Sequence, residues 1–149
     1  MWNRIRSTDG TSVIEAALIT PLLLALTFAI IDFGTLFYGY LALENGVSQA
    51  TRYGVTGSLE AGLTREESIK KAMRDATPTM TIEDSAFTFS HLTPGGATWS
   101  AGPGNPNDIE KVTVRYTWSL LTPVLRPFFP SGVVTLAVES AMKNEPRFN

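Results

Sequence analysis

Between Val13 and Leu43 the chain carries only two charged side chains, Glu15 and Asp32, and residues 16–31 carry none. As a helix rising 1.5 Å per residue, those sixteen residues cover about 24 Å. With Val13, Ile14, Phe33 and Leu36 added, the apolar length approaches the ~30 Å hydrocarbon core of a bilayer. One crossing is the reading, and the lipid bilayer is the first partner it implies. Asp32 and Phe33 then fall at the far interface, beside Phe37, Tyr38 and Tyr40, where an aromatic belt is expected. Arg4 and Arg6 precede the span, and basic residues flanking a span favour the cytoplasmic side, which leaves the C-terminal bulk on the opposite face.

Gly10-Thr11-Ser12-Val13-Ile14-Glu15 joins the basic leader to the span. A carboxylate costs roughly 2.5 to 3.5 kcal/mol at the centre of a bilayer and less towards its edge, so Glu15 implies a dedicated partner. Two simpler readings compete. A cleaved secretory signal would place its small-residue site at Thr27-Phe28-Ala29, but Asp9 and Glu15 put acid where such signals avoid it and apolarity continues past Ala29. A plain single-pass anchor would leave the leader uncut. Pro21 lies within the span and removes a backbone donor, which predicts a kink or loosening around Ala17 to Pro21.

Beyond the span, Phe37, Leu41, Val47, Ala50 and Tyr53 recur at helical spacing. They predict an amphipathic extension ending at Gly54 or Gly57, whose apolar face supports a domain. From Val13 to Tyr53 such a rod measures about 60 Å. Thr64 with Glu67 forms a capping box that opens a second helix, expected to run to Ala76 and stop before Pro78. Its Lys70, Lys71 and Arg74 read as a solvated basic face. Strand alternation follows at Phe87 to Ser90, at Val112, Val114, Tyr116 and Trp118, and at Val134, Leu136 and Val138. The fold class is therefore α+β: a long N-terminal helix bearing a small antiparallel sheet domain. Residues 93–108, rich in Gly and Pro, read as an exposed connection, and residues 120–130 as an unusually apolar linker. That linker is either a lid on the small core or a contact surface for another subunit or the membrane.

Most chemistry is excluded by the inventory. The chain has no cysteine and one histidine, His91, so thiolate metal sites, Cys nucleophiles and most His clusters are absent. Asn105, Asn107 and Asp108 supply too few carboxylates for a calcium loop. No nucleophile, base and acid set occurs at recognisable spacing. No enzyme, metal or cofactor is expected. A formal charge of −2 gives no electrostatic reason for a nucleic-acid partner.

The leader, Gly10 to Glu15, Ala16-Ala17-Leu18-Ile19-Thr20-Pro21-Leu22-Leu23, Ile31-Asp32-Phe33-Gly34, the segment from Ala42 to Gly54, and a late strand followed by Met142-Lys143-Asn144-Glu145 together resemble a TadE-like minor pilin (pseudopilin) of the bacterial tight-adherence pilus system. The resemblance implies a prepilin peptidase that cuts after Gly10, so that residues 1–10 are a leader and Thr11 becomes the new N-terminus. Glu15 is then the fifth mature residue, used in assembly. It further implies residues 11–57 as transmembrane helix with its extension and residues 58–149 as a periplasmic domain. The partners it implies are other minor pilins, a Flp-type major pilin and an inner-membrane assembly platform. Two positions depart from the family's pattern: Ala16 stands where an aromatic commonly follows the glutamate, and Asp32 where glutamate is usual. A membrane-tethered binding module, with a ligand surface around Trp99 and residues 93–108, is the alternative of a different class.

Overall fold

The structure, a computed structural model, describes residues 9–146. The basic leader with Arg4 and Arg6 lies outside the described residues. One helix, α1 (Asp9–Val55), dominates the molecule with 47 residues, about 70 Å of rod. A second helix, α2 (Arg65–Ala76), is opened by the expected capping box: the Thr64 hydroxyl accepts from the Glu67 N–H while the Glu67 carboxylate accepts from the Thr64 N–H. It stops before Pro78 as the sequence required. The sheet follows as β1 (Phe87–Leu92), β2 (Ser100–Ala101), β3 (Ile109–Ser119) and β4 (Val133–Lys143), with spatial order β2-β1-β3-β4 and every pairing antiparallel. The result is a small α+β domain on a long, projecting apolar helix.

The core lies between one face of α1, the apolar side of α2 and the inner face of the sheet. Leu43, Val47 and Ala50 meet Ile69 and Met73, and Val112, Val114, Leu136 and Val138 close the layer from below. At one edge of this core Phe87 and Phe89 stack with centroids 6.2 Å apart. Helical periodicity alone misassigned two residues of the supporting face. Phe37 and Leu41 are 62% and 65% exposed, and the face turned to the domain carries Leu36, Gly39, Leu43 and Gly46 beside the expected Val47 and Ala50. The physical reason is that α1 has two apolar sides, and the side bearing glycines is the one another element can approach closely.

These glycines act through contact distance. A Cβ on Gly39 would lie 2.3 Å from the Trp118 ring, on Gly46 2.6 Å from the Thr77 methyl, and on Gly54 2.8 Å from the Glu110 carboxylate. Each mid-helix glycine costs about 1 kcal/mol of helix propensity against alanine, a cost offset here by packing of α2 and β3 directly on the backbone. Gly57, at φ 69°, provides the left-handed residue after the helix and donates its N–H to the Gly54 carbonyl.

Residues 93–108 are largely exposed, as read, but their backbone is tied down. They contain β2, and the Gly102 N–H returns to the Phe89 carbonyl. Asp108 is buried and its Oδ2 accepts from the Asn105 N–H at 2.7 Å, while Asn144 Nδ2 donates to the carbonyls of Pro103 and Asn105. The Asp108 carboxylate therefore closes its own turn. Gly and Pro content marks a segment as irregular but not as mobile, because side-chain hydrogen bonds from distant residues are invisible locally.

Candidate functional site

The residues singled out in the sequence lie along the free length of α1. Its most apolar 18-residue window contains no buried residue, so this part of the helix is long and apolar enough to cross a membrane and is uncovered by the domain. Gly10 and Thr11 are exposed at the start of the described helix, with nothing within 4 Å of a Cβ built on Gly10. Glu15 is exposed one turn further on. At 100° per residue, Glu15 shares a stripe with Leu18, Leu22, Leu26, Ile30, Phe33, Phe37 and Leu41, every one of them exposed. From Glu15 to Leu41 the stripe measures about 39 Å, longer than the ~30 Å that lipid can cover. The helix runs unbroken through Pro21.

Asp32 occupies a different environment from Glu15. Its side chain is fully buried, and three donors from the linker close on it. The Leu121 N–H reaches Oδ1 at 2.7 Å, the Thr122 N–H lies 3.1 Å from Oδ1 and 3.2 Å from Oδ2, and the Thr122 hydroxyl donates to Oδ2. Such an arrangement satisfies a buried carboxylate with protein hydrogen-bond donors. Its partners lie 89 and 90 residues away in the chain, and no local signal reveals them. Phe33, the next residue, points to the free side and is exposed.

At the other end of the domain a second polar cluster joins four segments. Arg65 Nη2 donates to Glu110 Oε2 at 2.8 Å, to the Gly54 carbonyl at 2.9 Å and to Asn144 Oδ1 at 3.1 Å, while Nη1 reaches the Gly104 carbonyl at 2.7 Å. The guanidinium thus caps the C-terminal end of α1, where exposed carbonyls and the helix dipole favour positive charge. The Glu145 N–H satisfies the neighbouring Val55 carbonyl. Neither Arg65 nor Glu110 was anticipated, although Glu110 shares the inward parity of Val112 and Val114.

Burial pushes the Glu110 carboxyl up to about 7, outweighing an Arg65 charge that is shared among four acceptors. A carboxyl raised on folding stabilises the protein below its unfolded value, near 4.5, and that contribution is lost as pH rises through about 7. The full shift corresponds to roughly 3 kcal/mol. In detergent-solubilised protein the Glu110→Gln variant is therefore expected to lose most of the fall in Tm between pH 5 and pH 8 that the wild type shows, a difference on the order of 10 °C. Parallel Tm profiles for the two proteins would contradict this assignment.

The basic residues of α2 are occupied locally. Lys71 pairs with Glu60 at 3.2 Å and Asp75 at 2.9 Å, Arg74 pairs with Asp84, and Lys70 and Arg74 lie 6.0 and 5.6 Å from the centroid of the Phe87 ring. His91 Nδ1 contacts the Gly102 carbonyl at 3.1 Å. Trp99, the centre of the alternative ligand surface, has the Lys111 ammonium 4.4 Å from its ring centroid, so its own chain covers part of that face. Among the described residues no group of three His, Cys, Asp or Glu side chains could hold a metal ion.

No curated protein and no solved structure matches the chain. A family model does: the one described as TadE-like protein matches residues 10–52, the stretch of α1 that carries Gly10, Glu15 and Asp32.

Proposed function

We propose that this protein is a minor prepilin of a Tad pilus, anchored in the bacterial inner membrane by α1 with its sheet domain in the periplasm. The observation that carries the reading is the coincidence of the TadE-like match over residues 10–52 with a helix whose Glu15-bearing stripe is exposed from end to end. The match supports a Tad pilus-associated protein of a structural, pilin-type family, and the long apolar helix fits a single-pass anchor. In the finer reading a prepilin peptidase removes residues 1–10 on the cytoplasmic side. The matured helix then packs, along the Glu15 stripe, against other minor pilins and the Flp-type major pilin under the action of the assembly platform. A stripe longer than the hydrocarbon core favours helices over lipid as its occupant, because Phe37 and Leu41 lie beyond the depth that acyl chains reach.

N-terminal sequencing of membrane-extracted protein tests this directly. A start at Thr11 is expected; an intact Met1 would indicate a plain anchor, and a start near Ile30 a secreted domain. Gly10→Val should block maturation, since a branched side chain obstructs close approach of the backbone to the peptidase, and the precursor should accumulate to essentially all of the protein. Processing of Gly10→Val at the wild-type rate would show that the signal is wrongly placed.

A further inference from the structure

The linker between β3 and β4 lies at the membrane-facing end of the domain. β3 descends antiparallel to α1: Glu110 abuts Gly54, Trp118 abuts Gly39, and the amides of Leu121 and Thr122 bind Asp32. On leaving the strand the chain therefore reaches Asp32, the residue that follows the uncharged run 16–31, and residues 123–130 continue from that level. Two short 3-10 turns, Arg126–Phe128 and Pro130–Gly132, shape the return to β4. Leu120 is buried, whereas Leu121 is 63% and Phe128 78% exposed. From Leu120 to Val138 the single charge is Arg126, whose Nε donates to the Leu120 carbonyl.

We propose that this linker is a second membrane contact, seating Leu121 and Phe128 in the outer interface of the phospholipid bilayer that α1 crosses. The proposal rests on the single-pass reading given above. Three features select lipid as the occupant. The Leu121 and Thr122 amides are held at the level where the uncharged helix run ends, so a bilayer spanning residues 13–31 brings its headgroup boundary to the start of the linker. The segment is apolar with one arginine, the composition that inserts shallowly while keeping its cation among lipid phosphates. Prolines at 123, 127 and 130 reduce the number of unsatisfied N–H groups brought into that environment. Asp32 thus serves as the latch that fixes the linker's height, with its carboxylate satisfied by protein donors at the edge of the lipid.

The chain has no cysteine, so single-cysteine variants report one site each. Phe128→Cys, Thr98→Cys at the membrane-distal end and Leu22→Cys in the span are labelled with an environment-sensitive fluorophore. Each full chain is reconstituted in vesicles of phosphatidylcholine and phosphatidylglycerol and quenched with nitroxide-labelled lipid or aqueous iodide. At position 128, nitroxide lipid is expected to quench at least threefold more than at position 98, with iodide quenching reduced by a similar factor. Equal iodide access at 128 and 98, without lipid quenching at 128, overturns the proposal. Shielding of 128 from both quenchers also overturns it, since a protein then covers the linker. Failure of lipid quenching at 22 would sink the single-pass reading and this inference together, whereas quenching at 22 but not at 128 sinks the inference alone.

Discussion

Glu15→Gln is expected to leave cleavage and membrane insertion intact while reducing recovery of partner pilins by roughly tenfold or more and abolishing pili. After removal of residues 1–10, Thr11 carries a free amino group four residues before Glu15. In a bundle of such helices that cation can pair with the carboxylate of a neighbour, offsetting the cost of each charge in lipid and fixing the axial register. Glutamine keeps the shape and removes the charge, leaving the ammonium unpaired, and a loss of 1.4 kcal/mol already lowers association tenfold. The measurement is a pull-down from matched membranes, with the mature N-terminus checked in parallel. Normal pili and equal partner recovery would remove Glu15 from the register mechanism, and loss of cleavage alone would assign it to peptidase recognition. The exposure of Glu15 and its position on the stripe that reaches Leu41 make it available for such a contact, in contrast to Asp32, whose carboxylate is satisfied within the chain.

The second large effect concerns packing, and its sign distinguishes it from ordinary helix propensity. In an exposed helix interior, glycine to alanine stabilises by about 1 kcal/mol. At Gly39 the new methyl would lie 2.3 Å from the Trp118 ring, which is partly buried against the core, so Gly39→Ala is expected to destabilise the domain by about 1 to 3 kcal/mol. The corresponding fall in Tm is on the order of 10 °C. Gly34 in the same helix has nothing within 4 Å of a built Cβ, so Gly34→Ala provides the control and should be neutral or stabilising. Thermal unfolding of both variants in detergent measures the contrast. A stable Gly39→Ala protein would mean that β3 does not seat on the helix backbone at this position.

How much of this was legible without coordinates depended on the range of the interaction concerned. The Thr64 and Glu67 capping box, the stop before Pro78 and the alternation of Val112, Val114, Tyr116 and Trp118 are written within a few residues and appear in the structure as read. The side of α1 that carries the domain was only half legible. Val47 and Ala50 were assigned correctly, but Phe37 and Leu41 share their periodicity and lie on the free side, because hydropathy does not distinguish an apolar face that packs from one that stays open. Gly39 and Gly46 hold that information, as positions where only a missing side chain permits contact. The buried polar groups were the least legible. Arg65 meets Glu110 across 45 positions and Asp32 meets Thr122 across 90, and each partner looks ordinary in its own neighbourhood.

The descent of β3 along α1 also determines how the molecule carries load. Sheet and helix are fastened at Gly54, Gly39 and Asp32, three heights spread over about 33 Å of helix axis. A tension drawn along the helix while the domain is held back acts parallel to β3, so the three fastenings are sheared together and none can be peeled away before the others. A pull at right angles, applied at the Asp32 end, would instead open them one after another. The domain is thus mechanically anisotropic, stiff along the direction in which a membrane-embedded stalk is drawn and compliant across it.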